Sequence, residues 1–145
     1  MVHDSHLSAW RHFLQLHAHL INQIDKRLSD AQCIPLNWYD VLIELYDVPS
    51  QRLRMSDIAG RVVLTRSGLT RLVDRLEEVG YIVREQDPQD KRGFFIVLQA
   101  SGIEAMRQAW KVYEPAIKEL FAQYLSEEEV EVMSKLLERI LRNSH

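Results

Sequence analysis

The amino-acid sequence predicts a mainly α chain with a small β-hairpin, an α+β protein whose helices at both ends flank the one stretch suited to strands. Three observations predict it. Apolar residues recur at alternating three- and four-residue intervals near both termini, which is the period of a helix face. Only two runs are rich in β-branched and aromatic residues, and a polar turn separates them. The chain has 145 residues, 46% of them hydrophobic and 27% charged, which suits one well-cored unit and is short for two.

The first helix is read from Leu7 to Leu28. Leu7, Trp10, Leu14, Ile21, Ile24 and Leu28 form its stripe, and His17 takes the one remaining seam position. After a loop with Cys33 and Pro35, the segment Leu36 to Tyr46 is apolar on almost every side, broken only by Asp40 and Glu44, as expected of a helix sandwiched between other elements. Val48-Pro49-Ser50-Gln51 reads as a connector and Leu53-Arg54-Met55 as a short extended piece. Ser56 is the expected cap of a helix running to about Val63. A second short helix follows, capped by Thr65 or Ser67 and stopped by Gly80, so the pair carries a helix-turn-helix signature.

Tyr81-Ile82-Val83-Arg84 and Phe94-Phe95-Ile96-Val97-Leu98 are the two strand runs, with Asp87 to Gly93 as a charged tip. A lone hairpin is marginal in water and must lean on the preceding helices; Leu53 to Met55 is suited to a third strand. From about Ser101 to Tyr124 the positions Ile103, Met106, Trp110, Tyr113, Ile117, Leu120 and Tyr124 repeat the spacing, with a kink expected near Pro115. Ser126-Glu127-Glu128-Glu129 is a capping box. Val130, Met133, Leu137 and Ile140 carry the stripe on to a basic end at Arg139 and Arg142.

The terminal helices hold more apolar surface than a small central lobe can cover. Two copies of the chain, intertwining these helices about a twofold axis, would bury the stripes, so a homodimer is expected over the alternative in which the helices fold back on their own domain. The chain reads as a single domain over residues 1–145, with dimerisation helices in 1–34 and 101–145 and the hairpin-bearing helix-turn-helix lobe in 35–100. No run approaches the ~20 apolar residues that span a bilayer, and the polar start Met1-Val2-His3-Asp4-Ser5-His6 lacks a signal-peptide core. No membrane and a cytoplasmic location are therefore expected. The single cysteine, Cys33, cannot close an internal disulfide and fits a reducing compartment.

With a net charge of -3, any nucleic-acid footprint has to be local. Residues 52–92 hold nine Lys/Arg against seven Asp/Glu, whereas the rest of the chain holds nine against fourteen. Within that stretch Leu69, Leu72, Val73 and Leu76 set the core face of the helix after Thr65. At about 100° per residue, Ser67, Thr70, Arg71 and Asp74 lie opposite, with Arg66 on the exposed first turn and Arg75 on a flank. Hydroxyls bond phosphates or bases and Arg makes bidentate contacts to guanine, so this is a reading surface for a major groove. A merely solvated helix face has the same composition, and the hairpin shifts the balance. Its tip carries Lys91 and Arg92 on an exposed arm, from which a long cation enters a narrow minor groove; a soluble charged tip is the alternative. Asp90, two residues from Arg92, is placed to hold that guanidinium and shape the turn.

A longer pattern then emerges: Leu53-Arg54-Met55-Ser56-Asp57-Ile58-Ala59, the continuous run from Thr65 to Ile82, and Asp87-Pro88-Gln89-Asp90-Lys91-Arg92, with Leu98 and Gly102 at fixed spacing. Together these residues resemble the DNA-binding region of the multiple antibiotic resistance regulator (MarR) family, and the flanking helices match in order and length. The resemblance implies a winged helix-turn-helix DNA-binding lobe plus a helical dimerisation lobe. It implies a homodimer on double-stranded DNA, at a palindromic operator, with recognition helices in successive major grooves and wings in the adjacent minor grooves. Residue by residue it puts Arg66, Ser67, Thr70, Arg71 and Arg75 on DNA and Arg92 at the wing tip, oriented by Asp90. Where the family usually has Thr after Leu98 this chain has Gln99, so the cap of the next helix is expected from elsewhere, Ser101 being the candidate.

The resemblance further implies a repressor released by a small aromatic or phenolic effector, with no cofactor. Trp10, His17, Trp38 and Tyr39 are the candidate lining of an effector site; core filling by the aromatics and a satisfied, buried His17 is the competing and preferred reading. Cys33 follows the first helix with no cation beside it, which favours an inert thiol over a redox-sensing one. His3, His6, His12, His17 and His19 include no i, i+4 pair, so no metal site is expected. No Gly-rich phosphate loop, G-x-S-x-G elbow or spaced metal motif suggests an enzyme. The remaining alternative is a helical dimerisation or protein-binding module of the same fold that has lost DNA binding; Arg66, Arg71 and Arg92 favour DNA.

Overall fold

The computed structural model describes residues 3–62 and 64–144. Helix α1 spans Asp4–Asp30 and α2 Leu36–Asp47; strand β1 is Arg52–Arg54, followed at once by the one-turn helix α3, Met55–Ala59. Helix α4 covers Arg66–Glu78, β2 Ile82–Asp87 and β3 Asp90–Leu98. Helix α5, Ala100–Leu120, leads through a 3-10 turn at Ala122–Tyr124 to α6, Glu127–Arg142. This is a small three-stranded antiparallel sheet on a helical frame, the winged helix-turn-helix architecture that the sequence predicts.

Local chemistry explains the boundaries. The Thr65 hydroxyl accepts the Gly68 N–H at 3.0 Å and opens α4, so of the two expected caps Thr65 is the one used. At the other end Gly80 adopts φ +83, which needs no Cβ, and lets the Tyr81 N–H reach the Leu76 carbonyl at 2.9 Å. In α6 the Ser126 hydroxyl accepts the Glu129 N–H at 3.2 Å while the Glu129 carboxylate accepts the Ser126 N–H at 3.0 Å, the reciprocal box expected from the sequence.

The sheet order is β1-β3-β2. Arg52, Leu53 and Arg54 pair with Val97, Ile96 and Phe95, so the extended piece before α3 is the third strand, one residue earlier than expected. Leu53, Ile82, Ile96 and Leu98 turn inward and meet Leu69, Leu72, Val73 and Leu76 of α4, together with Leu42 and Leu45 of α2. Burial of each of these large side chains contributes roughly 1.5–3 kcal/mol, which holds the hairpin to the helices.

Four boundaries depart from expectation. Helix α3 starts at Met55 with Arg54 as its cap position, which puts Ser56 inside the first turn; the helix ends at Ala59, and Val63 lies outside the described residues. The hairpin arm is longer and its turn tighter, because the strands run on to Asp87 and from Asp90 and leave only Pro88 and Gln89 at the tip. Ser101 does not cap α5: its hydroxyl donates to the Gly80 carbonyl at 2.6 Å, and Gln99 takes the cap position without a side-chain bond. Helix α5 contains Pro115 and stops at Leu120 rather than Tyr124, since Phe121 leaves helical geometry at φ -134, ψ -64. No described helix is long and apolar enough to cross a membrane.

Candidate nucleic-acid interface

Helix α4 buries Leu69, Leu72, Val73 and Leu76 and exposes Arg66, Ser67, Thr70, Arg71, Asp74 and Arg75. The separation follows from the 3.6-residue period, and it collects all five residues expected on this helix onto one solvent face. The Thr70 hydroxyl donates back to the Arg66 carbonyl at 3.0 Å, and the Ser67 hydroxyl lies 3.5 Å from that of Thr65. Arg71 and Arg75 edge a shallow cavity of about 230 Å³ against Asn37 and Trp38 of α2.

Lys91 and Arg92 lie exposed on β3, just past the turn rather than at its apex, because Pro88 and Gln89 form the tip. Asp90 is beside Arg92 as expected, but its carboxylate accepts the Arg92 backbone N–H at 3.0 Å and shapes the turn instead of gripping the guanidinium. Among the described residues, Arg66, Arg71, Arg75, Lys91 and Arg92 enter no ion pair. Five cations thus stand free on α4 and the arm.

The neighbouring arginines are locked. Arg84 of β2 donates to Asp74 at 2.5 Å and to Glu77 at 2.5 Å, while its backbone N–H donates to Glu77 at 3.1 Å and its guanidinium lies 5.5 Å from the centre of the Phe94 ring. Burial alone would lower the pKa of this guanidinium; the hydrogen bonds with Asp74 and Glu77 outweigh it and hold the group above its ordinary value. Asp74, one of the residues opposite the core stripe, is therefore a tie between helix and wing. Arg54 pairs with Asp87, whose carboxyl is held below the usual carboxylate range chiefly by the Gln89 N–H, with Arg54 adding to it against the cost of burial. Arg54 and Asp87 stand in the pattern read from the sequence and Arg84 in a strand run, but none of the three was expected to form an ion pair. The signal for Arg84 is present in retrospect: an acidic pair three apart on α4, followed by an arginine on the first strand after Gly80.

The four residues expected to line an effector site are not brought together in the chain. Trp10 and His17 flank Phe13 on an exposed stretch of α1, with ring separations of 6.2 and 6.5 Å. His17 is exposed and not the buried histidine expected, because this half of α1 extends beyond its own body. Trp38 meets Tyr81 edge-on at 6.2 Å, while the adjacent Tyr39 points the other way and stacks on Trp110 at 6.2 Å. Beside Tyr39 an open apolar cavity of about 670 Å³ lies between α2 and α5, lined by Ile43, Tyr46, Met106 and Trp110 with Arg107 and Lys111. Cys33 is half-buried, its thiol directed at the carbonyls of Ala31 and Gln108 at 3.8 and 3.7 Å. Among the described residues no group of three or more His, Cys, Asp or Glu side chains is placed to hold a metal ion.

Comparison with known proteins agrees with this geometry. A model of the MarR family matches residues 34–93, the stretch from the end of the α1–α2 loop to the wing. An HTH-type transcriptional regulator from Bacillus cereus is 32% identical over 127 residues, covering 86% of this chain and 79% of that protein. The crystal structure of Sco3205, a MarR family transcriptional regulator from Streptomyces coelicolor in complex with DNA, superposes with a TM-score of 0.91 at 27% identity, covering 100% of this chain and 94% of that one. AbsC, another MarR family regulator from Streptomyces coelicolor, gives 0.88 at 29% identity over 99% and 96% of the two chains.

Proposed function

This chain belongs to the MarR family of winged helix-turn-helix, DNA-binding transcriptional regulators, and from that premise we propose that it acts as a homodimeric repressor, held on a palindromic operator until a small aromatic or phenolic effector releases it. The observation that carries the DNA-binding half is the set of five exposed, unpaired cations on α4 and the wing, beside arginines tied up in ion pairs. Arg66, Ser67, Thr70, Arg71 and Arg75 enter the major groove with α4, and Lys91 and Arg92 reach the minor groove with the wing. Asp90 sets the backbone from which Arg92 projects.

Surface area supports the dimer. A compact monomer of 17.0 kDa exposes about 7,700 Å² by the usual size scaling, whereas this chain exposes 10669 Å². The excess is of the order that an obligate interface removes. It is concentrated where a second copy would fit: Trp10 is 56% exposed on α1, and Ile140 and Leu141 are 61% and 63% exposed on α6. Two chains pairing α1 and α6 would cover these residues and present the two α4 helices together.

The cavity between α2 and α5 supports the effector half. Its volume falls in the range of small-molecule sites, three of its lining residues are aromatic, and it joins the helix-turn-helix lobe to the helix that leads into the dimer base. A ligand wedged there changes the separation of the two reading helices. Titration of a palindromic duplex from the chain's own promoter tests the proposal: two chains bind per site, and affinity falls steeply with added salt. A salt-independent affinity, or a monomer at micromolar concentration in sedimentation, overturns it. A thermal-shift screen in which no phenolic compound raises the melting temperature removes the effector half alone.

A further inference from the structure

The wing beyond Phe95 has no third strand beside it. Strand β1 pairs with β3 only as far as Arg54 opposite Phe95, while β2 and β3 continue as a two-stranded arm that shifts register between Gln86 and Asp87 and closes with Asp87 opposite Asp90. Two-stranded arms twist and flex readily in water. Arg54, the last residue of β1, spans the gap. Its guanidinium lies 4.8 Å from the centre of the Phe95 ring, runs over position 93 and pairs with Asp87 at the foot of the turn. Asp87 is only 6% exposed and also accepts the Gln89 N–H at 2.9 Å, so the same carboxylate fixes the turn. One side chain thereby links β1, β3 and β2.

Position 93 lies directly under this path. A Cβ at Gly93 would lie 2.5 Å from Arg54 Nη1, the mobile end of that side chain, so an alanine there makes the guanidinium shift from its present position without altering any charge. We propose that Arg54 is a positioning residue for the wing: clasped over Gly93 onto Asp87, it sets the direction and stiffness of the arm that carries Lys91 and Arg92 to the DNA. The inference rests on the DNA-binding reading above and adds to it a residue that acts through the arm and not by touching the duplex. Arg52 frames the same ring from the neighbouring position, its guanidinium 4.5 Å from the Phe95 centroid, but it pairs with Glu85 at 3.7 Å and does not reach the turn.

The test is a set of cycles on the full-length protein with the promoter duplex. Arg54→Met and Gly93→Ala each lower affinity roughly tenfold, with the melting temperature close to the parent's and faster hydrogen exchange at the Lys91 and Arg92 amides. On a background carrying both Lys91→Ala and Arg92→Ala, Arg54→Met changes affinity less than twofold, because the arm no longer has its contacts to deliver. An equal loss on both backgrounds overturns the proposal, since Arg54 then acts on the duplex itself or on the whole fold. Parental affinity and exchange in both Arg54→Met and Gly93→Ala also overturn it, with the DNA-binding reading intact provided Arg92→Ala still weakens binding. A protein with both Lys91→Ala and Arg92→Ala that binds as well as the parent overturns the wing contact and this proposal with it.

Discussion

Replacing Arg84 with methionine keeps the length and apolar stem of the side chain and removes a cation that ties the wing to the reading helix. Two ion pairs are lost, to Asp74 and Glu77, each at 2.5 Å. Arg84 is 26% exposed but its partners are 52% and 38% exposed, so both pairs are partly screened and each is worth about 0.5–1 kcal/mol rather than the value of a buried pair. The backbone bond from Arg84 to Glu77 survives the substitution. The expected loss of stability is therefore about 1–2 kcal/mol, or roughly 3–6 °C in melting temperature for a chain of this size at fixed protein concentration.

A second effect is larger for function. Without Arg84 the Asp74 carboxylate stands unneutralised on the face that carries Arg71 and Arg75, where it repels phosphate. Operator affinity is expected to fall about tenfold, beyond anything a shift of a few degrees explains at 25 °C. Arg84→Met combined with Asp74→Asn recovers most of that affinity while remaining as thermally weakened as Arg84→Met alone. Differential scanning fluorimetry and fluorescence anisotropy on the three variants measure both quantities. A melting temperature within 1 °C of the parent's refutes the energetic estimate, and an affinity that Asp74→Asn does not restore refutes the electrostatic one.

Arg92→Ala removes one cation per chain and two in the proposed dimer, so the slope of log affinity against log salt concentration is expected to shrink by about 1.8; an unchanged slope means Arg92 contacts no phosphate. Leu137→Glu with Ile140→Glu places charge on the uncovered face of α6 and is expected to give a monomer in sedimentation velocity, with operator affinity lower by at least about 100-fold because two half-sites are no longer linked. Gly102→Ala sets a Cβ 2.5 Å from the Tyr81 carbonyl oxygen, a backbone atom with little room to move; a destabilisation of roughly 1–3 kcal/mol is expected in urea unfolding. Asp87, Glu119 and Glu129 are all held below their ordinary pKa values, Asp87 chiefly by the Gln89 N–H, Glu119 by Arg27 and Glu129 by the Ser126 N–H. Their contribution is complete above about pH 5, begins to be lost as pH falls through the unfolded-state values of about 4, and is gone once pH is below the lowered folded-state values, so the melting temperature should decline on acidification below about pH 5, and less so in Asp87→Asn.

Much of this protein was legible in its sequence because the relevant signals are local. Helix periodicity placed the core face of α4 and, by subtraction, the outward Arg66, Ser67, Thr70, Arg71 and Arg75. Caps at Thr65 and Ser126 and the left-handed turn at Gly80 follow from bonds three to five residues apart, and the extra strand at Leu53 followed from the need to support a hairpin. Boundaries set by pairing with distant residues were less legible. The arm outran its β-rich core because the polar residues Glu85 and Gln86 pair with Phe95 and Phe94 and Asp87 pairs with Asp90, across a register shift between Gln86 and Asp87. His17 was expected inside because its seam position is apolar, yet seam positions on the first half of α1 have nothing of their own chain to pack against.

What the sequence determined by itself is the kind of surface presented: an Arg-bearing helix, a cationic arm and apolar stripes at both ends, each written in residues close enough to share one element. Only the tertiary structure decided which charges are free and which are spent. Asp87 and Arg54 are 33 residues apart and Arg84 and Asp74 are ten apart, and no spacing rule pairs them; the register of β1 on β3 and the packing of β2 against α4 do. An ion pair forms at a few ångströms and loses its strength beyond them, so its existence depends on how elements come together and not on the order in which they occur.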